Sequence, residues 1–251
     1  MRKAQIYYLI AIVLLILVCG YQYNVLRQLQ KTIDNPELDP NIVAQRFHQL
    51  SYDSPSTWQR NRWMGIKAFQ NPNDAWIIQE IISEVKPDFI IETGTLWGGS
   101  ALIWASILEH INPEGRVITV DIEDSTAEAR KHPLFQRKVD FMLGSSTSPT
   151  VLEDIGRKVK GRKVLVILDS DHSKTHVLKE LQSYAPFVQA GSYIIVQDSN
   201  VNGHPVYPNY GPGPYEAIEE YLETNSNFEP DRDRERLLYT MHPNGFLKRI
   251  R

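Results

Sequence analysis

Residues 88–100 read Asp88-Phe89-Ile90-Ile91-Glu92-Thr93-Gly94-Thr95-Leu96-Trp97-Gly98-Gly99-Ser100. Phe89 to Ile91 is a short apolar run after Pro87, the mark of a buried strand. Glu92 ends that strand, and Gly94, Gly98 and Gly99 make a tight turn poor in side chains. From Ser100 the spacing of Ala101, Leu102, Trp104, Ala105 and Leu108 is helical, closing near His110 and Ile111. A strand, a glycine turn and a helix N-terminus expose backbone N–H groups beside a carboxylate. That is how an α/β sheet holds a nucleotide-like ligand at the C-terminal ends of its strands. An ordinary βα turn has the same outline, so the rest of the chain must decide.

Working outward, strand and helix patterns alternate from Phe89 onward. Strands are expected at Phe89–Ile91, Arg116–Val120, Val139–Leu143, Val164–Leu168 and Tyr193–Val196. Helices are expected near Ser100–His110, Ser125–Arg130, Thr150–Val159, Ser173–Tyr184 and Tyr215–Glu223. This alternation specifies a parallel sheet with helices on both faces. Arg236–Met241 and Gly245–Arg249 flank an Asn244-Gly245 pair, which favours a closing antiparallel hairpin. Upstream, Asn71 should cap a helix with Pro72 at its first position, ending before Pro87. Ile42 to Leu50 suits a short amphipathic helix. Ser51 to Phe69 is aromatic and basic (Tyr52, Trp58, Arg60, Arg62, Trp63, Lys67), either a lid over the site or a strap packed on the domain.

The chain has 251 residues, 42% hydrophobic and 23% charged, with a net charge of −3, which suits one globular domain with an appendage. Nothing is basic enough to mark nucleic acid as a partner. Cys19, the one cysteine, excludes an intramolecular disulfide framework and a zinc–cysteine cluster. The appendage lies at the start, where Arg2 and Lys3 precede the unbroken run Ile6 to Val18. The run extends to about Tyr21, close to the length a membrane crossing needs, and no small-x-small cleavage site follows it. A single-pass membrane anchor over residues 1–25 is therefore expected, with Arg27 and Lys31 balancing Arg2 and Lys3 so that charge does not orient it. Gln28 to Asn41 reads as a linker, giving a linker and lid segment over 26–60 and a catalytic domain over 61–251. A homo-oligomer is compatible with the sequence.

The strand ends carry the remaining chemistry. Asp121 closes Val117-Ile118-Thr119-Val120, where an acid can accept both ribose hydroxyls of an adenosine. The fourth strand delivers Asp169-Ser170-Asp171-His172-Ser173-Lys174, and the fifth delivers Gln197-Asp198-Ser199-Asn200. In a parallel sheet both clusters reach the same edge as Glu92, Asp121 and Gly144. Like charges held close raise each other's pKa unless a cation sits between them, and oxygen donors of this kind suit Mg²⁺. Helix capping by Asp171 or Ser173 is the plainer alternative.

The pattern Glu92-x-Gly94-x-x-x-Gly98-Gly99-Ser100 lacks the glycine pair of a dinucleotide fingerprint. It resembles the first motif of class I S-adenosylmethionine (SAM) methyltransferases, and the whole resembles their Rossmann-like fold, a mostly parallel seven-stranded sheet with a C-terminal antiparallel hairpin. From about Trp63 the chain is similar to the cephalosporin hydroxylase family, which includes rhamnosyl O-methyltransferases of glycolipid synthesis. The residues carrying that resemblance are Trp63-Met64-Gly65, Lys86-Pro87-Asp88, Ile91-Glu92-Thr93-Gly94-Thr95, Gly98-Gly99-Ser100, Val120-Asp121-Ile122, Leu143-Gly144-Ser145-Ser146, Asp169-Ser170-Asp171-His172, Gly191-Ser192-Tyr193 and Asn244 to Arg249. The resemblance implies SAM held by Glu92, Gly94, Thr95, Gly98, Ser100, Asp121, Gly144 and Ser145, an acidic Mg²⁺ site, and methyl transfer to an oxygen. Asp169 is the metal ligand if Asp-x-x-His is the frame, and Asp171 if Asp-His-x-Lys is. Gln197 stands where the family has a glutamate beside Asp198, so the metal site has one charge fewer.

The expected reaction is in-line attack of a sugar, glycolipid or secondary-metabolite hydroxyl on the SAM methyl group, with Lys174 or His172 taking the proton. The loop Asn200–Pro214 follows the acid cluster and should shape the acceptor pocket. Since SAM is made in the cytosol, a tethered catalytic part is expected to face it. Two other classes share these features: an NAD-type oxidoreductase on the same fold, and a SAM-binding protein without catalysis.

Overall fold

The computed structural model describes residues 2–33 and 39–251. They divide into two compact units, residues 1–46 and 47–251. In the first, helix α1 (Arg2–Ile33) runs for 32 residues. Only Ile6 to Val18 is unbroken apolar sequence, and the helix continues through Gln22, Asn24, Arg27, Gln28 and Lys31. A crossing takes about 20 predominantly apolar residues. Among the described residues no helix is long and apolar enough to cross a membrane. The expected single-pass anchor is corrected accordingly, and with it the membrane as partner and as location. The expected linker is helical from Gln28 to Ile33, and its centre around Pro36 lies outside the described residues.

Helix α2 (Pro40–Asp53) covers the expected Ile42–Leu50 segment. A two-strand hairpin follows, β1 (Arg62–Trp63) with β2 (Ile66–Lys67), turning through Met64 and Gly65 at positive φ. Helix α3 (Pro72–Val85) begins as its sequence dictates: Asn71 accepts a hydrogen bond from the Asn73 amide and Pro72 occupies the first turn.

The remaining elements in chain order are β3 (Phe89–Thr93), α4 (Gly99–Ile111), β4 (Arg116–Asp121), α5 (Pro133–Lys138), β5 (Val139–Leu143), α6 (Pro149–Val159), β6 (Val164–Leu168), α7 (Lys174–Tyr184), β7 (Tyr193–Val196), α8 (Pro214–Thr224), β8 (Phe228–Pro230) and β9 (Phe246–Arg249). Seven of these strands form one sheet in the order β5-β4-β3-β6-β7-β9-β8. The first five are parallel, and β9 runs antiparallel to both β7 and β8. This is the Rossmann-like methyltransferase architecture expected from the sequence.

Burial follows the two-residue period of the strands. Ile90, Val117, Leu165, Ile195 and Phe246 face one core with α3 and α4, while Ile91, Ile118, Val166, Ile194 and Leu247 face the other with α6, α7 and α8. Every core strand thus has two apolar faces, which is why its sequence reads as a continuous run.

Two local expectations change. No α-helix forms at Ser125–Arg130; a short 3₁₀ turn at Ala129–Lys131 leads into α5 instead. Asp124 there accepts from the Thr126 amide and hydroxyl, which competes with helical hydrogen bonding. The partner of β9 is β8, and Arg236–Met241 is irregular. The Met241 amide is engaged by the Asp74 carboxylate and its carbonyl by the Asn200 amide, so neither joins a ladder.

Candidate functional site

Strand order reverses between β3 and β6, and a crevice opens at their C-terminal ends. Gly94, with φ of +85°, lies so close to β6 that an added Cβ would sit 1.8 Å from the Asp169 carbonyl oxygen. The Asp169 amide in turn donates to the Thr93 carbonyl at 3.0 Å. Beside this seam lies a cavity of about 570 Å³, within the usual range for small-molecule sites.

Most of the expected cofactor residues line it: Gly94, Thr95, Ser100, Asp121, Gly144 and Ser145. Asp121 is aimed by two loop amides, with Leu96 N–H donating to Oδ2 at 2.8 Å and Glu123 N–H to Oδ1 at 3.2 Å. Gly98 is instead the left-handed residue before α4. Glu92 lies behind the turn. It is fully buried, with Trp104 Nε1–H donating to Oε1 at 2.8 Å and the Thr119 hydroxyl to Oε2 at 2.6 Å. Because Thr119 donates to Glu92, its oxygen accepts from Thr95, 2.7 Å away, and the chain of bonds ends at a cavity-lining hydroxyl. Loss of hydration pushes the Glu92 carboxyl up to about 7, against the pull of its hydrogen bonds.

At the other end of the cavity Asp169, His172 and Asp198 each offer one ligand atom within 4.8 Å of the others. His172 Nε2 lies 3.2 Å from Asp198 Oδ2 and 3.8 Å from Asp169 Oδ1. Burial, then the neighbouring Asp198 and Glu92 charges, hold the Asp169 carboxyl well above the usual carboxylate range. Asp171 stays outside this group: its Oδ1 accepts the Ser173 amide at 2.8 Å, and that bond holds its carboxyl below the ordinary range. Gln197 also stays outside. It is buried and pairs with Gln70, whose Nε2–H₂ donates to Gln197 Oε1 at 2.9 Å and to Asp169 Oδ2 at 3.3 Å. Lys174 does not line the cavity; its Nζ pairs with Glu220 Oε2 of α8 at 2.7 Å.

Sequence reasoning passed over Gln70 and His176, and left the 51–69 segment as either a lid or a strap. Gln70, immediately before the Asn71 cap, had no signal beyond its position. The 51–69 segment forms a wall in which Tyr52 stacks on Trp58, Trp58 meets Phe69, and Phe69 meets Trp97 at 4.7 Å between centroids. All four rings line the cavity, as does Lys67. His176 lines it too, with Nε2 3.1 Å from Ser146 Oγ and 3.4 Å from Glu180 Oε1. The buried Glu180 carboxylate raises the His176 pKa. The spacing of His176 and Glu180, four apart on a helix, is the signal that was available.

The donor chemistry fits a hard cation. Two carboxylates one imidazole apart, one of them strongly disfavoured as a lone anion, suit Mg²⁺ with waters completing its shell. The four lining aspartates (Asp121, Asp169, Asp171, Asp198) also suit a ligand carrying positive charge.

Comparison with known proteins agrees with this geometry. A family model described as rhamnosyl O-methyltransferase/CmcI matches residues 55–250. A rhamnosyl O-methyltransferase of Mycobacterium tuberculosis (strain ATCC 25618 / H37Rv) is 42% identical over 216 residues, 83% of this chain and 86% of that protein. The rhamnosyl O-methyltransferase of Mycobacterium leprae (strain TN) is 40% identical over 212 residues, 82% and 90% of the two chains. A solved structure of CmcI with Mg and SAM has a TM-score of 0.58 at 17% identity, covering 77% of this chain and 78% of that one, a likeness of fold.

Proposed function

The chain belongs to the rhamnosyl O-methyltransferase/CmcI family, and from that premise we propose that it is a SAM-dependent O-methyltransferase acting on a hydroxyl of a rhamnosyl or similar sugar, with Mg²⁺ assisting. The observation that carries this reading is a single cavity with an aimed Asp121 at one end and the Asp169–His172–Asp198 group at the other. The first end suits a ribose and the second suits an acceptor hydroxyl that must lose a proton.

SAM would supply a methyl group already activated by its sulfonium, and Mg²⁺ held by Asp169 and Asp198 would lower the pKa of the acceptor hydroxyl. The protein's own tasks are positioning and proton removal. Asp121 accepts the ribose hydroxyls, and Gly94 and Gly99 let the turn pack directly on the backbone of Asp169 and Lys67, which fixes the wall against which the methionine part lies. His172 presents Nε2 between the two carboxylates and takes the hydroxyl proton; an imidazole nitrogen suits that task better than Mg²⁺ ligation. Asp198 stabilises the resulting imidazolium. Lys174, held by Glu220, is left outside the reaction.

The test is methyl transfer from labelled SAM to a rhamnosyl glycolipid and to the same lipid without its sugar. Label should appear on the sugar only, and excess chelator should suppress transfer while leaving S-adenosylhomocysteine (SAH) binding intact. Label on neither compound, or turnover of a nicotinamide cofactor instead, would overturn the proposal.

A further inference from the structure

We infer that Lys67 receives the α-carboxylate of the cofactor's methionine part, an inference that rests on the SAM reading above. SAM brings one anion into a cavity lined by four aspartates, and that anion needs a cation or a set of N–H donors. Besides the imidazoles of His172 and His176, Lys67 is the cation among the lining residues.

Its position matches the need. Lys67 ends the β1–β2 hairpin where the strand backbone presses on the first turn of α4. A Cβ on Gly99 would meet the Lys67 carbonyl oxygen at 2.0 Å, so the two backbones are in contact. The side chain therefore starts beside the N-terminus of a 13-residue helix, whose free N–H groups and dipole favour an anion. With Asp121 fixing the ribose on β4, the methionine part falls on the Gly94–Ser100 turn, toward that same helix end.

The state of the ammonium group also fits. Among the described residues Lys67 makes no ion pair, although the cavity it lines is acidic; its Nζ rests 4.4 Å from the centroid of Trp97. An aromatic face holds a cation without neutralising it. The lysine thus stays within reach of the methionine part and keeps its charge for it. Lys174, by contrast, already has its carboxylate in Glu220.

The experiment is calorimetric titration of the full chain with SAH and with decarboxylated SAH, which lacks only the carboxylate. Lys67→Met keeps the apolar stem against Trp97 and should weaken SAH about tenfold, the scale of one charge-assisted contact, while leaving the decarboxylated analogue unchanged. Lys67→Arg should retain most of the SAH affinity. Equal losses for both ligands would assign Lys67 a structural role and overturn the inference, as would unchanged SAH binding. If the unaltered protein binds neither ligand, the inference falls together with the SAM reading, a result distinct from either of those.

Discussion

Replacing Glu92 by glutamine tests how the glycine turn is held. Among the described residues no cation sits beside the Glu92 carboxyl, and burial pushes it up to about 7 from an ordinary value of 4.5. The folded state therefore holds the proton more tightly than the unfolded chain does. Between those two values the folded state binds more protons, so stability falls as pH rises, the reverse of a salt-bridged carboxylate. A shift of about 2.5 units at 1.36 kcal/mol each corresponds to roughly 3 kcal/mol in total, of which about 2–3 kcal/mol is expressed between pH 5 and 8.5. Glutamine has nearly the same shape. Its amide oxygen can accept from Trp104 Nε1, its NH₂ can donate to Thr119, and the Thr119 hydrogen can turn toward Thr95. The Ser100 hydroxyl, which also bonds Glu92, and the Thr95 hydroxyl both line the cavity and can turn toward it.

The assay is urea unfolding of the unaltered chain and Glu92→Gln, from pH 5 to 8.5, followed by tryptophan fluorescence. The glutamine variant should gain on the unaltered protein as pH rises, ending ahead by a margin equivalent to about 5–10 °C in Tm. Asp169 titrates in the same direction and is held up in part by the Glu92 charge, so the glutamine variant also relieves Asp169 and the two effects add in the difference. Two parallel pH curves would refute the reasoning, since they would mean the buried carboxyl is not being charged at a cost. SAH affinity supplies a second check. A residue behind the turn should change it less than about threefold, whereas the loss of a direct charged contact would cost tenfold or more.

Three further outcomes are expected. Gly94→Ala should abolish the SAH-induced thermal shift, because its Cβ would collide with the backbone of Asp169 and its φ is positive, leaving no side chain to yield. Lys174→Ala should keep near-normal methyl transfer while His172→Ala loses at least a hundredfold in turnover, measured side by side with labelled SAM; the opposite ranking would reassign the base. Gln197→Glu adds a buried negative charge beside Asp169, so its melting temperature should drop without Mg²⁺ and recover with it, more steeply than in the unaltered protein.

The sheet was legible because its strands are buried on both faces and say so in unbroken apolar runs. Phe89–Thr93 and Val164–Leu168 need no context to be recognised. The C-terminal hairpin was misplaced by one strand because Asn244-Gly245 is a strong turn signal, whereas Phe228-Glu229-Pro230 is short and ends in proline. What excluded Arg236–Met241 was tertiary: Asp74, at the start of α3, takes the Met241 amide from far along the chain. The acids and the histidine of the site were legible because each lies at the C-terminal end of a strand or in the loop that follows it. Glu92 was legible as a residue but not as a depth, since sequence does not tell whether a strand-end carboxylate faces the cavity or the indole of Trp104.

Gln197 shows why a motif position and a structural role can separate. As a missing charge in an expected ligand pair, it made the metal site look weakened. In the fold, its amide clasps Gln70, and Gln70 in turn donates to Asp169. A neutral residue suits that place, because an amide can both accept from and donate to another amide, and a carboxylate can only accept. The aromatic wall is tied through Phe69 and Gln70 to the end of β7, and the acid that faces His172 gains a hydrogen bond that favours its charged form. The two carboxylates left in the group are enough for a cation that keeps most of its waters. On this geometry position 197 governs how Asp169 is held rather than how many ligands the metal has.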